Sequence, residues 1–199
     1  MGKYIVIEGI DGAGKTTICN LLSKDLENSF LIKEPSDREI GKFIRFLLES
    51  QNENMRNPFI SMLMFFSDRI SIREKIIELR NSYNYIISDR SFLSTYAYQI
   101  SLIEDEKEKK IFLNIFRELL KLIEIPDVIV ILDVDIDVAL ERIRKDNRTK
   151  SLYENREFLK KVSENYRNLK LDLDNVYLVD ANRDINDVER DVLSIIKQL

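Results

Sequence analysis

The residues with the clearest chemical potential form a glycine-rich run near the start of the chain. The run reads Gly9, Ile10, Asp11, Gly12, Ala13, Gly14, Lys15, Thr16 and Thr17. It matches the pattern G-x-x-x-x-G-K-[ST], whose backbone N–H groups surround phosphates while the lysine meets the outer phosphates and the hydroxyl meets Mg²⁺. Because an apolar stretch precedes the run and a helical pattern follows it, we predict a nucleoside triphosphate site with Mg²⁺ at Thr16. The alternative, an ordinary glycine-rich turn, is disfavoured by the complete Lys-Thr-Thr ending.

The chain contains no histidine and a single cysteine, Cys19. This composition excludes Ser-His-Asp and Cys-His catalysis, histidine-ligated metal sites and an internal disulfide. Phosphoryl transfer depends mainly on positioning and charge stabilisation, so carboxylates, Lys, Arg and a hard cation suffice for it. The residue types therefore favour phosphoryl transfer.

A second charged pair, Asp89 and Arg90, follows another apolar run. Proteins with this kind of glycine-rich run, called a P-loop, often place a carboxylate near the Mg²⁺ ion at such a strand end. Asp89 is therefore a candidate metal residue. The forked donors of Arg90 suit a second phosphate. The alternative is a surface salt bridge.

Two further stretches are candidates for binding an acceptor molecule. Glu34, Pro35 and Arg38 follow the second strand-like run, at the sheet end where ligands bind. Phe65 and Arg69 are four residues apart and share a helical face, where one side chain can stack on a nucleobase and the other can bond to its edge. On the pattern alone we favour the alternative, in which Phe65 is core and Arg69 pairs with Asp68 or Glu74.

A basic cluster follows the fourth strand-like run and predicts a lid over the polyphosphate, with a solvated loop as the alternative. Its members are Arg142, Arg144, Lys145, Arg148 and Lys150.

Short runs rich in Ile and Val predict the strands that position these residues, and helical patterns lie between them. The runs are Tyr4–Ile7, Phe30–Lys33, Tyr85–Ser88, Val128–Leu132 and Val176–Val179. This alternation is typical of a doubly wound α/β fold with a parallel sheet. We also predict a helix after Pro35 capped by Ser36 or Asp37, a long helix from about 58 to 80, and another over 154–171.

The bulk composition sets limits on the setting of the protein. The 199 residues, 44% apolar and 33% charged, predict one soluble domain over 1–199. A net charge of −4 disfavours a duplex nucleic acid partner. The apolar runs are too short to span a membrane, and the N-terminus shows no signal-peptide pattern, so we expect a cytoplasmic protein.

Taken together, these motifs resemble the thymidylate kinase family of P-loop nucleoside monophosphate kinases, over nearly the whole chain from Ile5 to about Ile195. The most specific likeness is to the signature D-R-x-x-x-S-x-x-A-Y-Q, carried here by Asp89, Arg90, Ser94, Ala97, Tyr98 and Gln99. The run from Glu8 to Thr17, the Glu34-Pro35 step, and Phe65 with Arg69 are also similar. The resemblance implies a three-layer fold with a five-stranded parallel sheet, helices on both faces and a short lid at about 142–155. It further implies Mg²⁺-dependent transfer from ATP to dTMP, and a homodimer.

The resemblance also implies residue roles. ATP would contact the run from Gly9 to Thr17, together with Arg142 and Ala181. Phe65 would stack on thymine, Arg69 would bond to its edge, and Arg90 would hold the acceptor phosphate.

The acceptor pocket would also be lined by Asp11 (at the sugar), Glu34, Pro35, Arg38, Ser94, Tyr98 and Gln99. Gly12 occupies a position where some members carry an arginine, and members without it use a lid arginine, which makes Arg144 and Arg148 catalytic candidates beside Lys15, Asp11 and Arg90.

Three positions depart from the family pattern, namely Lys33, Ser36 and Ser91, and these concern the details of the acceptor pocket. Two other functions remain open. One is a related P-loop kinase for another acceptor, such as dUMP or a deoxynucleoside. The other is a nucleotide-binding regulatory module without turnover.

Overall fold

Five parallel strands form one sheet in the computed structural model, which describes residues 1–145, 155–169 and 171–198. The strands are β1 (Lys3–Glu8), β2 (Ser29–Lys33), β3 (Tyr85–Asp89), β4 (Val128–Asp133) and β5 (Val176–Asp180). Their order across the sheet is β2-β3-β1-β4-β5. All five predicted strands are confirmed as elements, and each prediction lies within a residue of the observed bounds.

The central strands lack an exposed face, since β1 and β4 are buried over five of their six residues. That burial explains their continuous apolar runs, because helices cover both faces of a parallel sheet. The strands also end in register at one edge. Ile7 and Lys33 both lie opposite Asp89. The segments that follow β1, β2 and β3 therefore meet at this edge, as the open α/β topology predicts.

Eight α-helices lie in the described part of the chain: α1 (Lys15–Asp25), α2 (Glu39–Glu49), α3 (Pro58–Ser82), α4 (Phe92–Ile100), α5 (Glu106–Leu120), α6 (Ile136–Lys145), α7 (Arg156–Arg167) and α8 (Ile185–Ile196). Helix α1 packs against α8, whereas α4 packs against α3, α5 and α7. The predicted three-layer α/β fold is confirmed. In the described residues no helix is long and apolar enough to cross a membrane.

Local details of two helices, α2 and α7, differ from the sequence expectations. The residue that precedes α2 is Arg38, which makes no side-chain cap, so the predicted capping by Ser36 or Asp37 is wrong. Ser36 turns instead toward α3, where its backbone N and its Oγ both donate to the carboxylate of Asp68. Helix α7 runs over Arg156–Arg167 and is shorter than the predicted 154–171. Its start is fixed by Asn155, whose side chain accepts bonds from two backbone amides.

Candidate active site

The glycine-rich run after β1 is folded tightly against neighbouring backbone. Gly9 and Gly12 adopt φ values of 140° and 82°, which side chains of L residues rarely adopt. A Cβ atom at Gly9 would lie 2.7 Å from the carbonyl oxygen of Leu132, and one at Gly12 would lie 2.4 Å from that of Ala139. Glycine is therefore required at both positions. The loop ends at α1, whose N-terminal amides and dipole are suited to an anion.

Lys15 begins α1 and is only 6% exposed. Its Nζ donates to the carbonyl oxygen of Ile10 at 2.7 Å. Burial lowers the pKa of Lys15 to about 8, and the positive charge of Arg90 adds to this effect, against the opposing pull of Asp11 and Asp89. The charged lysine therefore lowers the stability of the folded protein, beside the loop that would receive phosphates.

Thr16 and Asp89 bring two hard oxygen donors together across α1 and β3. The Thr16 hydroxyl donates to Asp89 Oδ2 at 2.6 Å. Within the described ranges, no group of three or more acidic, cysteine or histidine side chains is arranged to hold a metal. A hydroxyl and one carboxylate fit Mg²⁺, which usually takes its remaining ligands from water and nucleotide phosphates.

Arg90 follows β3 in a strained backbone conformation, with φ at 82°. A non-glycine residue in this region costs about 1–3 kcal/mol and such residues cluster at functional sites. Its guanidinium forms an ion pair with Asp11 and donates to Ser94 Oγ at 3.0 Å. Its Cζ lies 5.6 Å from the ring centroid of Tyr98. The guanidinium is thus fixed from three sides, next to the P-loop.

Asp11 lies between Arg90 and Tyr98. Its backbone N donates to the Tyr98 hydroxyl at 3.0 Å. Burial alone would raise the pKa of Asp11, but the charge of Arg90, followed by that of Lys15, holds this pKa below its usual value. The carboxylate consequently stays ionised at neutral pH.

Arg69 is buried, with 5% exposure, and three of its nitrogens are engaged. Nε donates to Glu34 at 2.7 Å, Nη1 to the Thr95 hydroxyl at 2.9 Å and Nη2 to the carbonyl oxygen of Ser91 at 2.6 Å. The favoured sequence interpretation paired Arg69 with Asp68 or Glu74, and that pairing is wrong. Burial raises the pKa of Glu34 to about 7 despite the nearby charge of Arg69.

A cavity of about 210 Å³ opens between α3, α4 and the segment after β2. It is lined by Asp11, Glu34, Pro35, Leu48, Phe65, Arg69, Arg90, Ser94, Thr95, Tyr98 and Gln99. Phe65 is half-buried, and the Cζ of Arg69 lies 5.8 Å from its ring centroid. Gln99 is 1% exposed, and neither its Nε2 nor its Oε1 has a hydrogen-bond partner among the described residues. Such an amide is suited to a ligand that offers both a donor and an acceptor.

The remaining predicted residues lie around this centre. Arg142 links the glycine-rich loop to the segment that follows β5. It donates to the carbonyl oxygens of Gly12 at 3.5 Å and Ala181 at 3.1 Å. Arg38 is exposed and donates to the carbonyl oxygen of Ser71, outside the cavity lining. Arg144 is exposed near the end of α6, while Arg148 lies outside the described residues.

Sequence reasoning missed two residues of the cavity lining, Leu48 and Thr95, and assigned no role to Glu8, which lies outside that lining. Thr95 holds Arg69, and Glu8 accepts hydrogen bonds from the start of α4. A signal existed only for Glu8, which is a charged residue directly after the buried apolar run from Tyr4 to Ile7.

Comparisons with known proteins agree with this geometry. The family model described as "Thymidylate kinase" matches residues 7–192. A probable thymidylate kinase of Methanosphaera stadtmanae is 40% identical over 185 residues, covering 89% of each chain. That of Methanocaldococcus jannaschii is 34% identical, with 98% of this chain and 96% of the relative covered. Among solved structures, thymidylate kinase from Candida albicans superposes with a TM-score of 0.82 at 28% identity, covering 99% of this chain and 92% of that chain.

Proposed function

Since the chain belongs to the thymidylate kinase family, we propose that it transfers the γ-phosphoryl group of ATP to dTMP, giving ADP and dTDP. The observation that carries this function is a cavity beside the P-loop whose lining combines Arg90, the Phe65 ring, Arg69 and the unpartnered amide of Gln99. We assign Arg90 to a phosphate end of this cavity and the other three residues to a base end. This layout fits a nucleoside monophosphate lying across the cavity.

The base end favours thymine through its hydrogen-bonding groups. A guanidinium offers five N–H donors and no acceptor. Arg69 uses three nitrogens on protein partners, which leaves N–H donors for the O4 carbonyl of thymine. Cytosine carries a donor amino group there and would leave a buried donor unpaired, which costs about 1–3 kcal/mol. The amide of Gln99 can meet the adjacent N3–H and a carbonyl oxygen, while Phe65 stacks on the ring.

The reaction needs no general base, because the attacking phosphate oxygen of dTMP is already ionised at neutral pH. The protein must hold two polyanions in line and screen their repulsion. The charges of Lys15 and Arg90 both act on the carboxylate of Asp11, so the two cations are close enough to the loop to be suited to this task. A Mg²⁺ ion held near Thr16 and Asp89 would supply further charge neutralisation at the nucleotide phosphates.

A lid arginine completes the screening in this proposal. The packing at Gly12 supports this role, because the backbone of Ala139 leaves no room for a side chain at that loop position. Arg144 and Arg148 are the candidates. The proposed lid covers about 142–155 of a single kinase domain over 1–199, and its residues 146–154 lie outside the described residues. Arg142 and Ala181 flank the loop on the ATP side.

A coupled assay with ATP and a panel of monophosphates tests the function. We expect Lys15→Ala to lose on the order of 10²–10³ in kcat, and turnover at the wild-type rate would refute the assignment. Phe65→Ala and Arg69→Ala should raise the KM for dTMP but not that for ATP. Arg73→Ala is the matched control, because Arg73 lies one helical turn from Arg69 on α3 and forms an ion pair with Glu74 on the surface, outside the cavity lining.

A second candidate acceptor is favoured by one comparison. The Candida albicans relative is described in terms of a broad substrate specificity. If dUMP or a deoxynucleoside is turned over with a higher kcat/KM than dTMP, the acceptor assignment is wrong although the kinase assignment stands. Binding of ATP without product from any acceptor would instead indicate a regulatory module.

The proposed homodimer rests on an apolar surface shared by α2 and α3. Phe43, Phe46 and Leu63 are 54%, 61% and 49% exposed, and Ile60 and Ile70 lie on the same pair of helices. Met62 and Phe66, on the same helix α3, pack into the core and do not belong to this surface. Sedimentation should give a dimer for the wild type and a monomer for Phe46→Glu, and a monomeric wild type would refute the proposal.

We propose a cytoplasmic setting for the enzyme. The buried free thiol of Cys19 is compatible with a reducing compartment. Fractionation of the source cells tests this placement, which recovery of the enzyme outside the cytoplasm would contradict.

A further inference from the structure

Glu8, the last residue of β1, is fully buried yet lies outside the cavity lining. Its carboxylate accepts five hydrogen bonds from three residues, Ser91, Ser94 and Tyr166. A buried acid normally destabilises a protein unless its oxygens are fully hydrogen-bonded. Here both oxygens are satisfied by donors that converge from two helices.

The two oxygens of Glu8 have different partners. Oε1 accepts from the backbone N of Ser91 at 2.7 Å, from its Oγ at 2.8 Å and from the backbone N of Ser94 at 3.0 Å. These groups form the N-terminus of α4, where a negative charge is stabilising. Oε2 accepts from Ser94 Oγ at 2.7 Å and from the Tyr166 hydroxyl at 2.9 Å.

The Ser94 hydroxyl links Glu8 to Arg90. A hydroxyl has one proton to donate and two lone pairs. Because Ser94 donates its proton to Glu8, its lone pairs are available to Nη1 of Arg90, which donates to Ser94 Oγ at 3.0 Å. The carboxylate thus determines which way the serine hydroxyl points, and so where the guanidinium is held.

We propose that Glu8 is a positioning residue for phosphoryl transfer, which holds Arg90 through the Ser94 hydroxyl while Tyr166 fixes the carboxylate from α7. The inference rests on the proposed role of Arg90 at the acceptor phosphate. In this arrangement the end of β1, the start of α4 and helix α7 meet at the Glu8 carboxylate. A purely structural cap of α4 would affect stability and leave substrate KM values unchanged.

The substitution Glu8→Gln separates these two roles. The amide keeps an oxygen for the three donors at α4 but places an NH₂ group opposite Ser94, which forces its hydroxyl to turn. We expect the KM for dTMP to rise about tenfold, equivalent to the loss of one hydrogen bond of about 1.4 kcal/mol, with the KM for ATP unchanged. An unchanged KM for dTMP overturns the inference.

Asp127→Asn is the matched control, because Asp127 supports the other end of β1 by accepting from the backbone N of Tyr4 at 2.6 Å. It also pairs with Arg80, and neither residue lines the cavity. This variant should lower the melting temperature without changing either KM. If it raises the KM for dTMP as Glu8→Gln does, the effect is general loosening of the fold and the inference falls.

A double-mutant cycle with Ser94→Ala tests the route through the hydroxyl. If Glu8 acts through Ser94, Glu8→Gln should add little to the KM for dTMP once the hydroxyl is gone, and fully additive effects refute the route. Should Glu8→Gln not fold, Tyr166→Phe removes one donor to the same oxygen and should raise the same KM about twofold, with no change as the refuting result. Arg90→Ala distinguishes the two levels: if it leaves the KM for dTMP unchanged, the proposed role of Arg90 fails first.

Discussion

Replacing Lys15 by methionine should stabilise the ligand-free protein while lowering its kcat on the order of 10²–10³-fold. The ammonium group is 6% exposed, and its burial lowers its pKa to about 8. Methionine fills similar space without a charge. The lysine is therefore retained at a cost to stability, which the variant removes.

The magnitude follows from the pKa of Lys15. A drop from about 10.4 to about 8, at 1.4 kcal/mol per pH unit, corresponds to roughly 3 kcal/mol of destabilisation at pH 7. The variant also loses the bond from Nζ to the carbonyl oxygen of Ile10, which is worth about 1 kcal/mol. That oxygen keeps a bond from the backbone N of Ala13 at 3.2 Å. The net gain is about 2 kcal/mol, or about 4–8 °C in melting temperature.

The pH dependence has a definite sign. Below pH 8 the lysine is charged in both states, and the folded state bears the full cost of burying the charge. As pH rises from 8 toward 10.4, the folded protein loses this proton before the unfolded chain does, so the cost disappears. The advantage of Lys15→Met should therefore fall below about 1 kcal/mol at pH 9.5.

Denaturant unfolding of ligand-free protein at pH 7 and pH 9.5 measures this prediction. Lys24→Met is the control, since Lys24 is exposed on the same helix and its replacement should change stability by less than about 0.5 kcal/mol. A Lys15→Met variant no more stable than wild type at pH 7 would refute the reasoning. So would a gain that is undiminished at pH 9.5.

Three further variants probe the metal site, the loop and the base end. Asp89→Asn keeps the bond from Thr16 but removes a charge, so the Mg²⁺ concentration for half-maximal activity should rise about 10–100-fold; an unchanged Mg²⁺ titration would contradict the proposed metal site. Gly12→Ala should destabilise the protein more than Gly14→Ala does. Both positions have positive φ, but only the Cβ atom at position 12 would clash, at 2.4 Å from the carbonyl oxygen of Ala139. Thermal melts giving equal losses would contradict this. Gln99→Leu removes an unpartnered amide, so it should leave stability unchanged or raised while the KM for dTMP rises about tenfold in steady-state assays; an unchanged KM would refute the contact.

The sheet was predictable from the sequence because its strands are buried on both faces. Continuous apolar runs such as Val128–Leu132 have few other interpretations when polar turns flank them. The P-loop was predictable for a different reason, since phosphate binding demands glycines and Lys15 at fixed spacing. From these two features the topology places Asp89 and Arg90 beside the loop.

The partners of buried charges were not predictable. Arg69 pairs with Glu34, 35 positions away, and a helical-spacing argument pointed instead to its neighbours on α3. Tyr166 reaches Glu8 across 158 positions, which no local pattern encodes. Helix α4 was not predicted as a separate element, because its eight buried residues show no clear polar face. Tertiary packing decides each of these, and one sequence shows only local periodicity.

Arg90 forms an ion pair with Asp11. In the proposed assignment, the acceptor phosphate replaces Asp11 as the partner of Arg90. When a phosphate takes Arg90, the half-buried carboxylate of Asp11 loses a counter-charge, and an unpaired acid in such a place is costly. A sugar hydroxyl that donates to Asp11 restores the balance. Inorganic phosphate and nucleotides without that hydroxyl leave the exchange incomplete. One pair of residues thereby couples recognition of charge to recognition of sugar, and rejects anions that offer only the first.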